Sequence, residues 1–127
     1  MFGSKIILGN AELNLDDKGR VFIPGFTNVE KGEDLSLIEN MNGNLNLFSN
    51  KQINLLIYKL NRSNNEEDKI LLNKIYAYYI ATEKVDSQKR IILPPDWRKA
   101  LESKKIYVQG ALEMDLPSLR ISSTKLR

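Results

Sequence analysis

The chain has no cysteine and no histidine. The first absence excludes disulfide frameworks, thiolate metal sites, iron–sulfur ligation and cysteine nucleophiles. The second removes imidazole metal ligands, the commonest general base and the Ser/His/Asp triad. Carboxylates, lysine, tyrosine and serine would have to carry any chemistry alone, so a binding protein is expected rather than an enzyme. No apolar run approaches the ~18 to 20 residues that span a bilayer, and no long apolar stretch precedes a small-residue cleavage site. The expectation is a cytoplasmic, unprocessed protein with no membrane partner. Glycine-rich phosphate loops and dinucleotide fingerprints are missing too. The densest carboxylate cluster, Glu66-Glu67-Asp68, stands where a helix should begin, and stabilisation by the helix dipole accounts for it. No cofactor, metal or small-molecule substrate is expected.

What is present is an ordinary globular composition. The 127 residues are 42% hydrophobic and 28% charged with a mean hydropathy of −0.36, which excludes wholesale disorder. This length suits one compact domain burying about two thirds of its unfolded surface. A net charge of +3 and a pI near 9.1 permit a polyanionic partner without requiring one.

The chain repeats itself once, at an offset of 70 residues. Ala11, Asp16, Arg20 and Pro24 recur as Ala81, Asp86, Arg90 and Pro94, and Leu15, Val21, Phe22 and Ile23 recur as Val85, Ile91, Ile92 and Leu93. Each copy reads as a strand end, Asp-x-x-x-Arg, an apolar triplet and a proline that ends the second strand. Asp16 to Gly19 is a turn-forming cluster in which Gly19 supplies positive φ. Ser87-Gln88-Lys89 has no glycine and is expected to turn by another geometry. For Asp16 and Asp86 the spacing suits a local ion pair or side-chain turn that fixes the loop; for Arg20 and Arg90, exposure beside a turn also suits phosphate recognition.

A strand pair should follow each unit. Leu35-Ser36-Leu37-Ile38 and Leu45-Asn46-Leu47-Phe48 flank Asn42-Gly43, a hairpin signal. The looser counterpart is Ile106-Tyr107-Val108, Gly110, then a strand over 112–116, with 118–127 left as a polar tail or an altered last strand. Between the copies, Ser49-x-x-Gln52 marks a helix start, and Ile53, Leu56, Ile57 and Leu60 form one apolar stripe. A second helix begins at Glu66, with Leu71, Leu72, Ile75 and Tyr76 inward, and gives way to a strand at Tyr78-Tyr79-Ile80-Ala81. A short third helix after Pro94-Pro95 should pack through Trp97, Ala100 and Leu101. Its counterpart, Gly25-Phe26-Thr27-Asn28, is a poor helix sequence.

Leu15-Asp16-Asp17-Lys18-Gly19-Arg20-Val21-Phe22-Ile23-Pro24 resembles the signature strand-loop-strand of the MraZ family, bacterial proteins with two tandem AbrB/SpoVT-type swapped-hairpin motifs. Met1-Phe2-Gly3 is similar to the family's start, and Val85 to Pro94 stands where the second copy would. The chain departs from the family pattern at Lys89, where a glycine is usual, at Pro24-Gly25-Phe26-Thr27, which lacks the arginine that Arg98 supplies in copy two, and at the short C-terminus. The resemblance implies an α+β, mainly β fold: a duplicated AbrB-like swapped-hairpin β-barrel with a helical insert. Residues 1–127 would form one pseudo-symmetric domain, with motifs at 1–48 and 78–127 and the insert at 49–77. It implies a DNA-binding transcription regulator that recognises short promoter repeats near division and cell-wall genes as a homo-oligomeric ring, in the cytoplasm at the nucleoid.

Lys18, Arg20, Lys84, Lys89 and Arg90 are the candidate DNA-binding residues, because they gather around corresponding loops; Asp16, Gly19 and Asp86 are the candidate loop-structuring ones. Lysines would neutralise phosphates and arginines would reach base edges. The rival reading is a structural protein that uses the same core for assembly without DNA. An antitoxin-like relative would need a longer, less polar tail than 118–127.

Overall fold

β-Rich segments and one helical hairpin alternate along the chain, and the computed structural model describes residues 7–40, 42–99 and 104–123. The strands are β1 (Asn10–Asn14), β2 (Arg20–Phe22), β3 (Asp34–Glu39), β4 (Leu45–Ser49), β5 (Tyr79–Lys84), β6 (Arg90–Ile92), β7 (Lys105–Glu113) and β8 (Leu116–Ser122). The helices are α1 (Asn50–Asn61), α2 (Glu66–Tyr78) and α3 (Pro95–Lys99), and Gly25–Thr27 forms a 3-10 turn. Among the described residues the fold is thus mainly β with three helices, and Met1-Phe2-Gly3, Ala100 and Leu101 lie outside them.

Six strands form one sheet in the order β1-β7-β8-β4-β3-β5, and β2 and β6 pair as a separate antiparallel ribbon. Exchanging the two halves of the chain reverses that order onto itself. β1 of the first half pairs with β7 of the second, while β5 of the second pairs with β3 of the first. At the centre, Leu45 lies opposite Ile121 and Leu47 opposite Leu119. Under the exchange Leu45 therefore corresponds to Leu119 and Leu47 to Ile121.

That correspondence corrects the expected second hairpin. β7 runs straight through Gly110, and the turn falls at Met114 and Asp115, whose φ values of 55° and 61° make the two-residue connection that matches strand twist. Gly110 serves close approach instead: its amide donates to the Gly9 carbonyl at 2.9 Å, and a Cβ there would collide with the Ile7 carbonyl. Leu116–Ser122 forms β8 in the middle of the sheet, with Ser118, Leu119, Ile121 and Ser122 buried, so of the two alternatives for 118–127 it is the last strand that the described residues form.

Strand alternation distributes side chains to two cores. Leu35, Leu37, Leu45, Leu47, Leu119 and Ile121 point to one face and meet Val21, Ile23, Ile91 and Leu93 from the ribbon, with Trp97 of α3 closing the edge. Ile38 and Phe48 point to the other face and meet Ile53 and Leu60 of α1 and Ile75 of α2. The layers run ribbon, sheet, helical hairpin, each helix lending one apolar stripe. Ser49 caps α1 by accepting from the Gln52 amide, and Asn65 caps α2 by accepting from the Glu67 amide. Tyr76 is an exception to the inward face expected for α2: it is 59% exposed. Tyr78 also belongs to α2, so β5 starts at Tyr79.

Candidate functional site

The ribbon and the two loops that feed it form one site from two matched halves. In the first loop, Asp16 Oδ1 accepts from the Lys18 and Arg20 amides at 2.9 and 2.8 Å, and Oδ2 accepts from Arg20 Nε at 2.7 Å. In the second, Asp86 Oδ1 accepts from the Gln88 and Arg90 amides at 2.9 and 2.8 Å, and Oδ2 accepts from Arg90 Nε at 3.0 Å. Each aspartate closes its turn and fixes its arginine's orientation through Nε. Since both loops begin with a five-residue Asp-x-x-x-Arg, the same short polar side chain reaches the same three donors.

Charge follows from this geometry. The Arg20 amide lowers the Asp16 pKa; partial desolvation opposes it, and the Arg20 guanidinium and Lys18 amide add to the lowering. For Asp86 desolvation pushes upward, but the Arg90 and Gln88 amides and the Arg90 guanidinium together outweigh it, so its pKa also lies below the ordinary value. The halves touch electrostatically as well, because Arg90 Nη1 stands 3.8 Å from Asp16 Oδ2.

The loops turn alike despite their sequences. Gly19 has φ 78° and Lys89 has φ 58°, both left-handed, so the expectation of a different geometry for the second loop is corrected. The aspartate network, together with the bonds Ile23 N to Lys89 O at 2.8 Å and Leu93 N to Gly19 O at 2.9 Å, determines the turn strongly enough to hold a lysine there. Gly19 answers a second constraint. Arg98 of α3 lies across it and donates from Nη1 to the Lys18 carbonyl at 3.1 Å, and a Cβ at position 19 would collide with the arginine side chain.

Among the expected DNA-binding residues, Arg20 and Arg90 come together, their side chains 30% and 25% exposed. Lys18 and Lys89 flank them on the loops. Lys84 is engaged elsewhere: it stands on the edge strand β5, pairs with Asp34 at 3.1 Å and donates to the Gly32 carbonyl at 3.3 Å. Sequence reasoning missed Arg98 as part of the site, along with Lys104, whose Nζ bonds Asp17 at 2.5 Å and whose pKa that contact raises. It also took Phe22 and Ile92 only as members of apolar triplets, whereas both are exposed beside the arginines. Alternation about buried Val21 and Ile91 was the available signal. No group of three or more potential metal-ligating side chains occurs among the described residues, and no helix among them is long and apolar enough to cross a membrane.

No family model matches the chain. It is 27% identical over 107 residues to the transcriptional regulator MraZ of Mycoplasmoides gallisepticum, covering 83% of this chain and 75% of that protein. The likeness to MraZ first carried by the Asp-x-x-x-Arg motifs thus extends over most of the chain.

Proposed function

We propose that this chain is a DNA-binding transcriptional regulator and that the outward face of the β2–β6 ribbon is its DNA-contacting surface. The observation that carries the reading is the paired orientation of Arg20 and Arg90. Each is held at Nε by an aspartate of its own loop, and both stand partly exposed on one face of a two-stranded ribbon. A ribbon of that kind fits the major groove, where guanidinium groups recognise guanine and backbone-directed cations supply affinity. The name of the Mycoplasmoides gallisepticum relative supports the same role. The chain acts as one pseudo-symmetric domain, with AbrB-like motifs at 1–48 and 78–127 around the insert at 49–77.

The finer form of the proposal is a homo-oligomeric ring that binds short promoter repeats near division and cell-wall genes, at the nucleoid in the cytoplasm. One chain offers few contacts, and a ring multiplies them through effective concentration. Exposed Leu55 and Tyr58 on α1 and Tyr76 on α2 supply apolar surface for such assembly. The same surface favours the second reading, an assembly protein that does not bind DNA.

Genome-wide mapping of bound DNA separates the two. Enrichment at the promoter of the division-gene cluster, lost on Arg20→Ala with Arg90→Ala while oligomer size is retained, is the expected result. An empty map from a protein that still assembles would overturn the DNA-binding reading.

A further inference from the structure

We infer that Phe22 and Ile92 are specificity-determining residues that make apolar contact with thymine C5-methyl groups in the major groove, an inference that rests on the DNA-binding reading above. Both side chains leave the ribbon on the same side as the arginines. Val21 and Ile91 are 1% and 2% exposed, whereas Phe22 and Ile92 are 50% and 41% exposed. The register places Arg20 opposite Ile92 and Phe22 opposite Arg90. The bonds from Ile23 N to Lys89 O and from Leu93 N to Gly19 O assign hydrogen bonding to the inward pairs. The outward pairs are therefore the ones whose side chains approach most closely. The outer face is a four-residue patch with guanidinium groups on one diagonal and apolar side chains on the other.

That alternation matches base edges better than it matches phosphate alone. A backbone-binding surface needs cations and polar donors, and a half-exposed phenylalanine adds nothing to it. In the major groove, guanine presents two acceptors suited to arginine, and thymine presents a methyl group suited to an apolar side chain. An apolar protein partner could cover Phe22 and Ile92 but would also desolvate the partly exposed guanidinium groups of Arg20 and Arg90 beside them. The flanking cations Lys18, Lys89 and Arg98 favour a polyanion.

The test uses a duplex recovered by the full-length protein from a randomised DNA pool, then remade with deoxyuridine in place of every thymine. That exchange removes only the C5-methyl groups. Wild type is expected to bind the deoxyuridine duplex about fourfold more weakly for each contacted methyl. Phe22→Ser with Ile92→Ser should bind the two duplexes equally while sedimenting at the wild-type size, and Phe22→Leu should keep discrimination. Equal binding by wild type, continued discrimination by the double serine variant, or a recovered site without thymine would overturn the inference. So would a change in sedimentation size, which would place the two residues in an assembly contact. Recovery of no duplex at all would instead reject the DNA-binding reading itself.

Discussion

Arg98, in the second half of the chain, lies across Gly19, in the first, and donates to the Lys18 carbonyl beside it. The 70-residue repeat offset pairs these positions with Asn28 and Lys89. The second loop therefore carries neither partner of this contact. Without an arginine at position 28 to lie over the second loop, that loop has room for a Cβ; with Arg98 in place, the first does not.

The stability of the two loops should differ accordingly. Gly19→Ala adds left-handed strain and a collision with Arg98, and is expected to cost about 2 to 3 kcal/mol. Lys89→Ala replaces one L-residue by another at the same φ and should change stability by less than about 0.5 kcal/mol. Urea unfolding of both variants checks this, and equal losses would contradict it.

Acid should loosen the ribbon. Asp16 and Asp86 have native pKa values below their ordinary ones, so their stabilising contribution is complete above the unfolded value, near pH 4, and disappears as pH falls through the native values. Stability should fall below about pH 4, and Asp16→Asn with Asp86→Asn should flatten that part of the profile. Denaturant titrations across pH 2 to 6 provide the measurement; an unchanged slope in the double variant would remove the aspartates as its cause.

Salt should separate DNA binding from assembly. The logarithm of DNA affinity is expected to fall linearly with the logarithm of salt, by about 0.9 per phosphate neutralised. Apolar contacts between chains should persist over the same range. A binding titration and a sedimentation series on one preparation test this, and affinity that is flat across salt would contradict it.

Gly110→Ala should detach residues 7–9 from β7. Its Cβ would occupy the space of the Ile7 carbonyl and break the bond to the Gly9 carbonyl. The expected loss is about 1 to 3 kcal/mol, with amide exchange accelerated most in β1 and β7. Uniform acceleration across the sheet would argue against a local effect.

Local patterns were legible in the sequence, and pairings between distant residues were not. The helical stripe of Ile53 and Leu60 and the Asp16 and Asp86 turns depend on neighbours within a few residues, so spacing reveals them. The pairing of Lys84 with Asp34 depends on the β3–β5 register and is not visible from its place beside the second loop. Arg98 escaped notice as a site residue because its partner is 80 residues away. The second hairpin is not visible from the spacing because its longer first strand shifts the repeat, so that Leu119 and Ile121, not the 112–116 segment, answer to Leu45 and Leu47.

The exchange of first strands between halves also sets an order of events during synthesis. β1 leaves the ribosome early, but its partner β7 begins only at Lys105. β3 and β4 can close at once, and the α1–α2 hairpin can form by local contacts, while β1 must wait with its edge unpaired until β7 has emerged. The nascent protein therefore carries an open strand while the intervening residues are made. In Asn10–Asn14 the polar Asn10, Glu12 and Asn14 alternate with Ala11 and Leu13 and are exposed, and a charge on such an edge guards it against pairing with another chain.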